Sequence, residues 1–402
     1  MTDYKAIQDH CRKTTEGGLS ILDDFLIYYA ADREKLDREM DNRLAPYRHI
    51  TRNFDPSWVN YFKAQYIAHQ LFKKGGLIQK YLNHSAVKDL TEQERTYLRQ
   101  QSAQPWRFSF SVITGRPAED FYEMQDVFTS QKFLLYSTGV TQILSEHPVA
   151  LWFNLIAFNG MCWQSYGPIG HYQSFRPDDI RYYASELNPR EWFEKDAEIL
   201  ENVERNPLPY MMLMNGATLP FMVHKDDRIE HHFAEYDDDA FTNSDLETSF
   251  RIEYNDGVYR LSLKRWSDHP HFATAYYDEK EELLLVSAMT VRGFEALIKK
   301  LNQHGYELAP DPDFQVNASM LTTAQTILKK QHVSLQYSAL FEKPASPEQT
   351  EALDKLNEFL SLALPEINSG RQPDVEALAK RTGVDPEMAR QMVQDVLDKL
   401  GR

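Results

Sequence analysis

Cysteine is nearly missing from this sequence: Cys11 and Cys162 are the only two in 402 residues. Two thiols supply no disulfide framework, and their scarcity points to a reducing compartment. Long apolar runs are missing too. The longest near the N-terminus, Phe25 to Ala31, is far too short to span a bilayer. The opening MTDYKAIQDHCRK lacks the basic-then-apolar order of a secretory signal, so a cytoplasmic protein with no membrane partner is expected. Basic side chains are outnumbered, 44 against 60 acidic, for a net charge of -16. That balance disfavours a nucleic-acid backbone as the main partner and leaves a protein as the expected one. Catalytic signatures are lacking as well. There is no phosphate-cradling Gly-x4-Gly-Lys-Ser/Thr, no Gly-x-Gly-x-x-Gly, no Gly-x-Ser-x-Gly and no His-Glu-x-x-His. Their absence leaves no positive reason to name a reaction, and no cofactor is expected.

Aromatic residues, in contrast, are concentrated. The stretch from Gln104 to Arg176 holds Trp106, Trp152 and Trp163, half of the six tryptophans. Short aromatic and β-branched runs alternate there with Gly and Pro, the spacing of several short strands. Strands are expected at Arg107–Ile113, Phe121–Asp126, Lys132–Tyr136, Leu151–Ile156 and His171–Phe175, forming a small twisted antiparallel sheet able to curl into a barrel. In the first, Phe108, Phe110 and Val112 share one face and Arg107, Ser109 and Ser111 the other. The expectation is one buried face and one wet face.

Helical patterns flank this stretch. Thr91-Glu92-Gln93-Glu94 reads as a capping box, and Asp55-Pro56 as the start of a helix with Val59, Phe62, Tyr66 and Ile67 inward. Asn188-Pro189-Arg190-Glu191 reads as another helix start, with Asn206-Pro207 as its stop. From there to Met289 the pattern is β. Asn255-Asp256-Gly257 is a strong hairpin signal, Asp278 to Glu281 marks a second hairpin, and Thr290 caps an amphipathic helix. The tail from Ser346 is helical again. The expected fold class is α+β, with helical N-terminal and C-terminal segments flanking two mostly antiparallel β regions. The expected divisions are 1–103, 104–206, 207–335 and 346–402.

Three stretches invite a functional reading, each against a plainer one. The loop from Asn159 to Gly170 combines turn formers with Trp163 and Tyr166, close to His171. These three residues are the candidate partner-binding set, against the alternative of a tight turn covered by its own aromatics. His224, His231, His232, His269 and His271 are candidate metal ligands of a metal-dependent hydrolase, near nine carboxylates between Asp226 and Glu247. Their spacing matches no established site, and an acidic solvent loop is the plainer reading. The segment from Val375 to Val393 resembles a helix-turn-helix, which implies a DNA-binding regulator. Residues 371–402 carry six basic and six acidic side chains, which is no electrostatic footprint for DNA. The leading expectation is a protein-interaction or scaffold protein.

Overall fold

The computed structural model describes residues 2–20, 29, 31–52, 54, 56–146, 148–189, 193, 195–216, 228–235, 246–268, 271–281, 283–312, 314–329, 337–341, 347–368 and 371–399. The fold is α+β, with helices towards both ends and two sheets between. It divides into two compact units, 1–217 with 326–328 and 218–325 with 329–402. The N-terminal helices and the aromatic stretch belong to one unit.

In the first unit, the helices of eight residues or more that precede the strands are α1 Tyr4–Ser20, α2 Leu36–Leu44, α3 Pro56–Phe72 and α4 Glu92–Ala103. α4 starts where its sequence dictates. Thr91 Oγ1 accepts from Glu94 N, and Glu94 returns a carboxylate to Thr91 N, completing a capping box. The strands follow as β1 Arg107–Ala118, β2 Phe121–Asp126 and β3 Lys132–Tyr136, then α5 Thr138–Glu146, β4 Leu151–Phe158 and β5 Trp163–Tyr172. They close into a barrel in the order β1-β2-β3-β5-β4. β1 pairs antiparallel with both β2 and β4, and β3 pairs parallel with β5. This connectivity, with its helix between the third and fourth strands, is that of an OB-type Greek-key barrel.

Two sequence expectations change here. The fifth strand is 163–172 rather than 171–175, because most of the supposed loop pairs with β4. Gly167, at φ 73, takes the left-handed conformation where the register shifts between Phe153 and Leu155. The supposed wet face of β1 also changes place. Ser109 pairs with Asn154, Ser111 with Trp152 and Asp126, and Ile113 with Met124. Cross-strand partners share a face, and Met124, Trp152 and Ile113 belong to the cluster filling the barrel with Val140 of α5. Arg107, Ser109 and Ser111 therefore face the lumen.

The opposite face of β1 is covered from outside. Phe153 stacks on Phe110 at 4.4 Å and on Phe108 at 5.1 Å, and all three are fully buried. α6 Pro177–Leu187, α7 Asp196–Arg205 and α8 Pro207–Gly216 complete this unit's helices. α8 replaces an expected β segment: Pro207 suits the first helical turn, and its run LPYMMLM is apolar all round, the pattern of a buried helix. Tyr210 of α8 meets Phe110 edge-on at 6.2 Å, and His69 of α3 lies 4.8 Å from Phe108. Burying such an aromatic contributes roughly 1.5–3 kcal/mol relative to leaving it exposed. Glu204 of α7 ties the layers together, accepting from Phe108 N at 2.6 Å and from His69 Nε2 at 2.6 Å.

The second unit contains β6 Arg228–Glu235, β7 Phe250–Asn255, β8 Val258–Leu263, β9 Thr274–Asp278, β10 Leu283–Ala288, α9 Val291–Gln303, β11 Phe314–Asn317 and α10 Ala318–Leu328, the last shared with the first unit. The strands form one sheet, β11-β6-β10-β9-β8-β7. Both expected hairpins are there. Asp256 and Gly257, at φ 50 and 82, make the tight turn that matches strand twist. Thr290 Oγ1 caps α9 by accepting from Gly293 N at 3.0 Å, and Phe294, Leu297, Ile298 and Leu301 pack beneath the sheet. α11 Pro347–Asn368, α12 Val375–Thr382 and α13 Pro386–Lys399 form a separate small core through Phe359, Ala379, Ala389 and Val393. Gly383 ends α12 at φ 73, and α13 begins three residues later at Pro386. Ser346, where the helical tail is expected to begin, lies outside the described residues, as do Asp55 and the helix start at Arg190 and Glu191.

Candidate functional site

The three candidate partner residues on β5 do not form one surface. Trp163 pairs with Phe158 and Tyr166 with Leu155, an odd number of residues apart, so they face opposite sides of the strand. Trp163 joins the lumen cluster 6.1 Å from Phe133. Tyr166 packs on Trp106 at 5.0 Å. His171 sits at the far end of the strand, 6.5 Å from Trp152.

Of the metal candidates, His224 and His269 lie outside the described residues. His231 and His232 fall on β6, whose backbone pairs with β10 and β11. His271 has its Nδ1 2.6 Å from Thr290 Oγ1 and its ring 4.4 Å from Trp266. Among the described residues no three His, Cys, Asp or Glu side chains converge as a metal site would require. On α13, Glu387, Met388, Arg390, Gln391, Gln394 and Asp395 are exposed, and Arg390 is held 2.8 Å from Glu376.

The lumen holds a polar cluster that sequence reading placed in solvent. Ser109 Oγ donates to Asp126 Oδ2 at 2.7 Å, and Phe128 N and Thr129 N donate to Oδ1 at 3.1 and 2.9 Å. Arg107 Nη1 is 3.4 Å from the same carboxylate, and its guanidinium lies over Phe133 and Trp163. Burial lowers the Arg107 pKa from its ordinary value, and Asp126 opposes that shift. The arrangement is structural: it neutralises a carboxylate that is wholly buried.

A second polar site joins α1 to the β4–β5 turn. Asn159 closes that turn by accepting from Met161 N and Cys162 N, both at 2.9 Å. His10 Nε2 donates to the Asn159 carbonyl at 2.7 Å. The Asn159 amide donates to Cys11 Sγ at 3.2 Å, and the two sulfurs, Cys11 Sγ and Cys162 Sγ, are 3.3 Å apart. Both cysteines are buried. A cavity of about 110 Å³ opens beside Asn159, lined also by Thr14, Thr15, Gln164 and Tyr166 among others, though by neither cysteine. No motif pairs thiols 151 positions apart, so only the fold reveals this neighbourhood.

A third feature lies at the start of α9. Ala273 N donates to Trp266 O at 2.9 Å. Phe272 takes φ 44, a left-handed conformation rare for an aromatic, and is 48% exposed. Met289 N donates to His271 O at 2.7 Å, which brings the start of α9 alongside, and Val291 there is 43% exposed. Trp266 is half-buried against the core between the sheet and α9. Phe272 and Val291 are thus exposed apolar side chains near the start of α9, on a protein of strongly acidic charge. Compared with known proteins, the chain matches no family model, no curated protein and no solved structure.

Proposed function

We propose that this chain is a protein-interaction module, and that its docking surface is the Phe272–Val291 patch rather than the aromatic barrel. The observation that carries the reading is Phe272. Holding an aromatic at positive φ costs roughly 1–2 kcal/mol, yet the fold keeps it there half in water. Exposed aromatics beside aliphatics are the usual anchors of protein interfaces. The barrel argues against itself as the surface. OB-type barrels take ligands on the β2–β3 face and the adjoining loops. Here α1 covers the edge of that face, with Tyr4 5.1 Å from Phe121, and Ile7 and Cys11 clustered on Tyr136 and Cys162. Fold alone implies no activity in any case.

The partner class follows from charge. A protein of net charge -16 attracts a basic partner and is repelled by nucleic-acid phosphates. The expected occupant is a protein segment carrying an apolar anchor flanked by Lys or Arg. The test is affinity capture from native lysate with the wild-type chain, Phe272→Ser and the control Tyr61→Ser. The expected result is one protein retained by wild type and by the Tyr61 variant, weakened by added salt, and reduced on the order of tenfold by Phe272→Ser. Capture indifferent to Phe272, or no salt-sensitive capture at all, would overturn the reading.

A further inference from the structure

We propose that Cys11 and Cys162 are an oxidisable dithiol, converted by a hydroperoxide into a disulfide that fastens α1 to the barrel. The sulfurs are 3.3 Å apart, in van der Waals contact, so bond formation needs only a small side-chain rotation. Asn159 holds both, donating to Cys11 Sγ at 3.2 Å and to Cys162 Sγ at 3.7 Å. The same residue lines the neighbouring cavity of about 110 Å³, and so does Gln164, which accepts from Asn159 Nδ2 at 2.8 Å. That volume accommodates a molecule the size of hydrogen peroxide, little larger than water at roughly 30 Å³.

The two thiols are not equivalent. The hydrogen bond from Cys162, helped by the Asn159 amide, holds the Cys11 pKa below its ordinary value despite burial. The Cys162 pKa is pushed up by sharing its proton with Cys11 and by burial. The Asn159 amide also lies closer to Cys11 Sγ, 3.2 Å against 3.7 Å, and so favours a thiolate there; Cys11 is the sulfur that attacks. Its sulfur bonds to one peroxide oxygen as the O–O bond breaks, giving a sulfenic acid and hydroxide, which becomes water on taking up the Cys11 proton. Cys162 sulfur then attacks Cys11 sulfur; the S–S bond forms, the S–O bond breaks, and hydroxide departs as water with the Cys162 proton. Two thiols lose two electrons, and one peroxide becomes two waters. The bond spans 151 positions and pins α1 over the edge of the β2–β3 face.

The test uses the full-length reduced chain, treated with hydrogen peroxide either folded or unfolded in urea. Peptide mapping without reductant follows the joined 11–162 peptide. Burial alone predicts slower oxidation of the folded protein. The proposal predicts the opposite order, with the intramolecular link forming about tenfold faster when folded because the sulfurs are already placed. In Cys162→Ser, a sulfenic acid trapped at Cys11 by a dione reagent is expected; the wild-type comparison stands even if that variant folds poorly. Thiols that survive folded but oxidise unfolded would overturn the proposal. So would sulfinic acids, or links between chains, in place of the intramolecular bond.

Discussion

The closed barrel and the hairpin sheet use similar residues under opposite rules. In the sheet, Phe250, Leu261 and Val286 face the helix α9 core, and the neighbours are consecutive in the chain from β7 to β10. In the barrel, Phe108 and Phe110 of β1 point outward to helices, while Arg107, Ser109 and Ser111 point inward. Closure reverses the usual polarity for part of one strand. The lesson is that alternation identifies two faces but does not say which of them meets water.

Asp126→Ala is the strongest way to break that contrast. It strips the lumen of the acceptor used by Ser109, Phe128 N and Thr129 N and leaves the Arg107 charge among aromatic rings. Removing one partner of a buried pair costs about 3–5 kcal/mol. Urea unfolding followed by tryptophan fluorescence measures it, because Trp106, Trp152 and Trp163 all lie in the barrel unit. A loss under about 1 kcal/mol would mean that the lumen is wet after all, since an exposed ion pair is worth no more.

A smaller effect is expected in the sheet. Gly257 sits at φ 82, and a Cβ there meets nothing within 4 Å, so Gly257→Ala adds backbone strain alone. The expected cost is about 1–2 kcal/mol, read as faster amide exchange confined to β7 and β8. Exchange spreading into the barrel would contradict the division into two units.

The sequence made the sheet legible and the barrel only partly so. Asn255-Asp256-Gly257 encodes its turn in adjacent residues, and Thr91 with Glu94 or Thr290 with Gly293 encode helix starts within one turn. The strands of the barrel were visible for the same reason. Curling into a barrel was expected, but the pairings that close it were not legible, because β1 meets β4 and β3 meets β5 across long connections that no local pattern records. Trp163, Tyr166 and His171 looked like one surface in a loop, whereas strand pairing sends the first two to opposite sides. The thiol pair had no local signal at all, and neither did the exposure of Phe272, which depends on how residue 271 meets residue 289.

The smallest stability effect carries the sharpest contrast. Phe110 and Phe272 are both aromatic, but the first is fully buried at the barrel wall and the second is 48% exposed at positive φ. Phe110→Ala would create a cavity. Phe272→Gly instead removes a strained conformation, a gain of roughly 1–2 kcal/mol, offset by the flexibility glycine restores to the unfolded chain, about 0.5–1 kcal/mol, and by loss of the half-buried ring. The expected net change is within about 1 kcal/mol of zero. Unchanged unfolding together with lost partner capture would separate the two uses of an aromatic, packing in the barrel and recognition in the sheet unit. A loss of several kcal/mol would instead make Phe272 a packing residue, and the docking surface would have to be sought elsewhere.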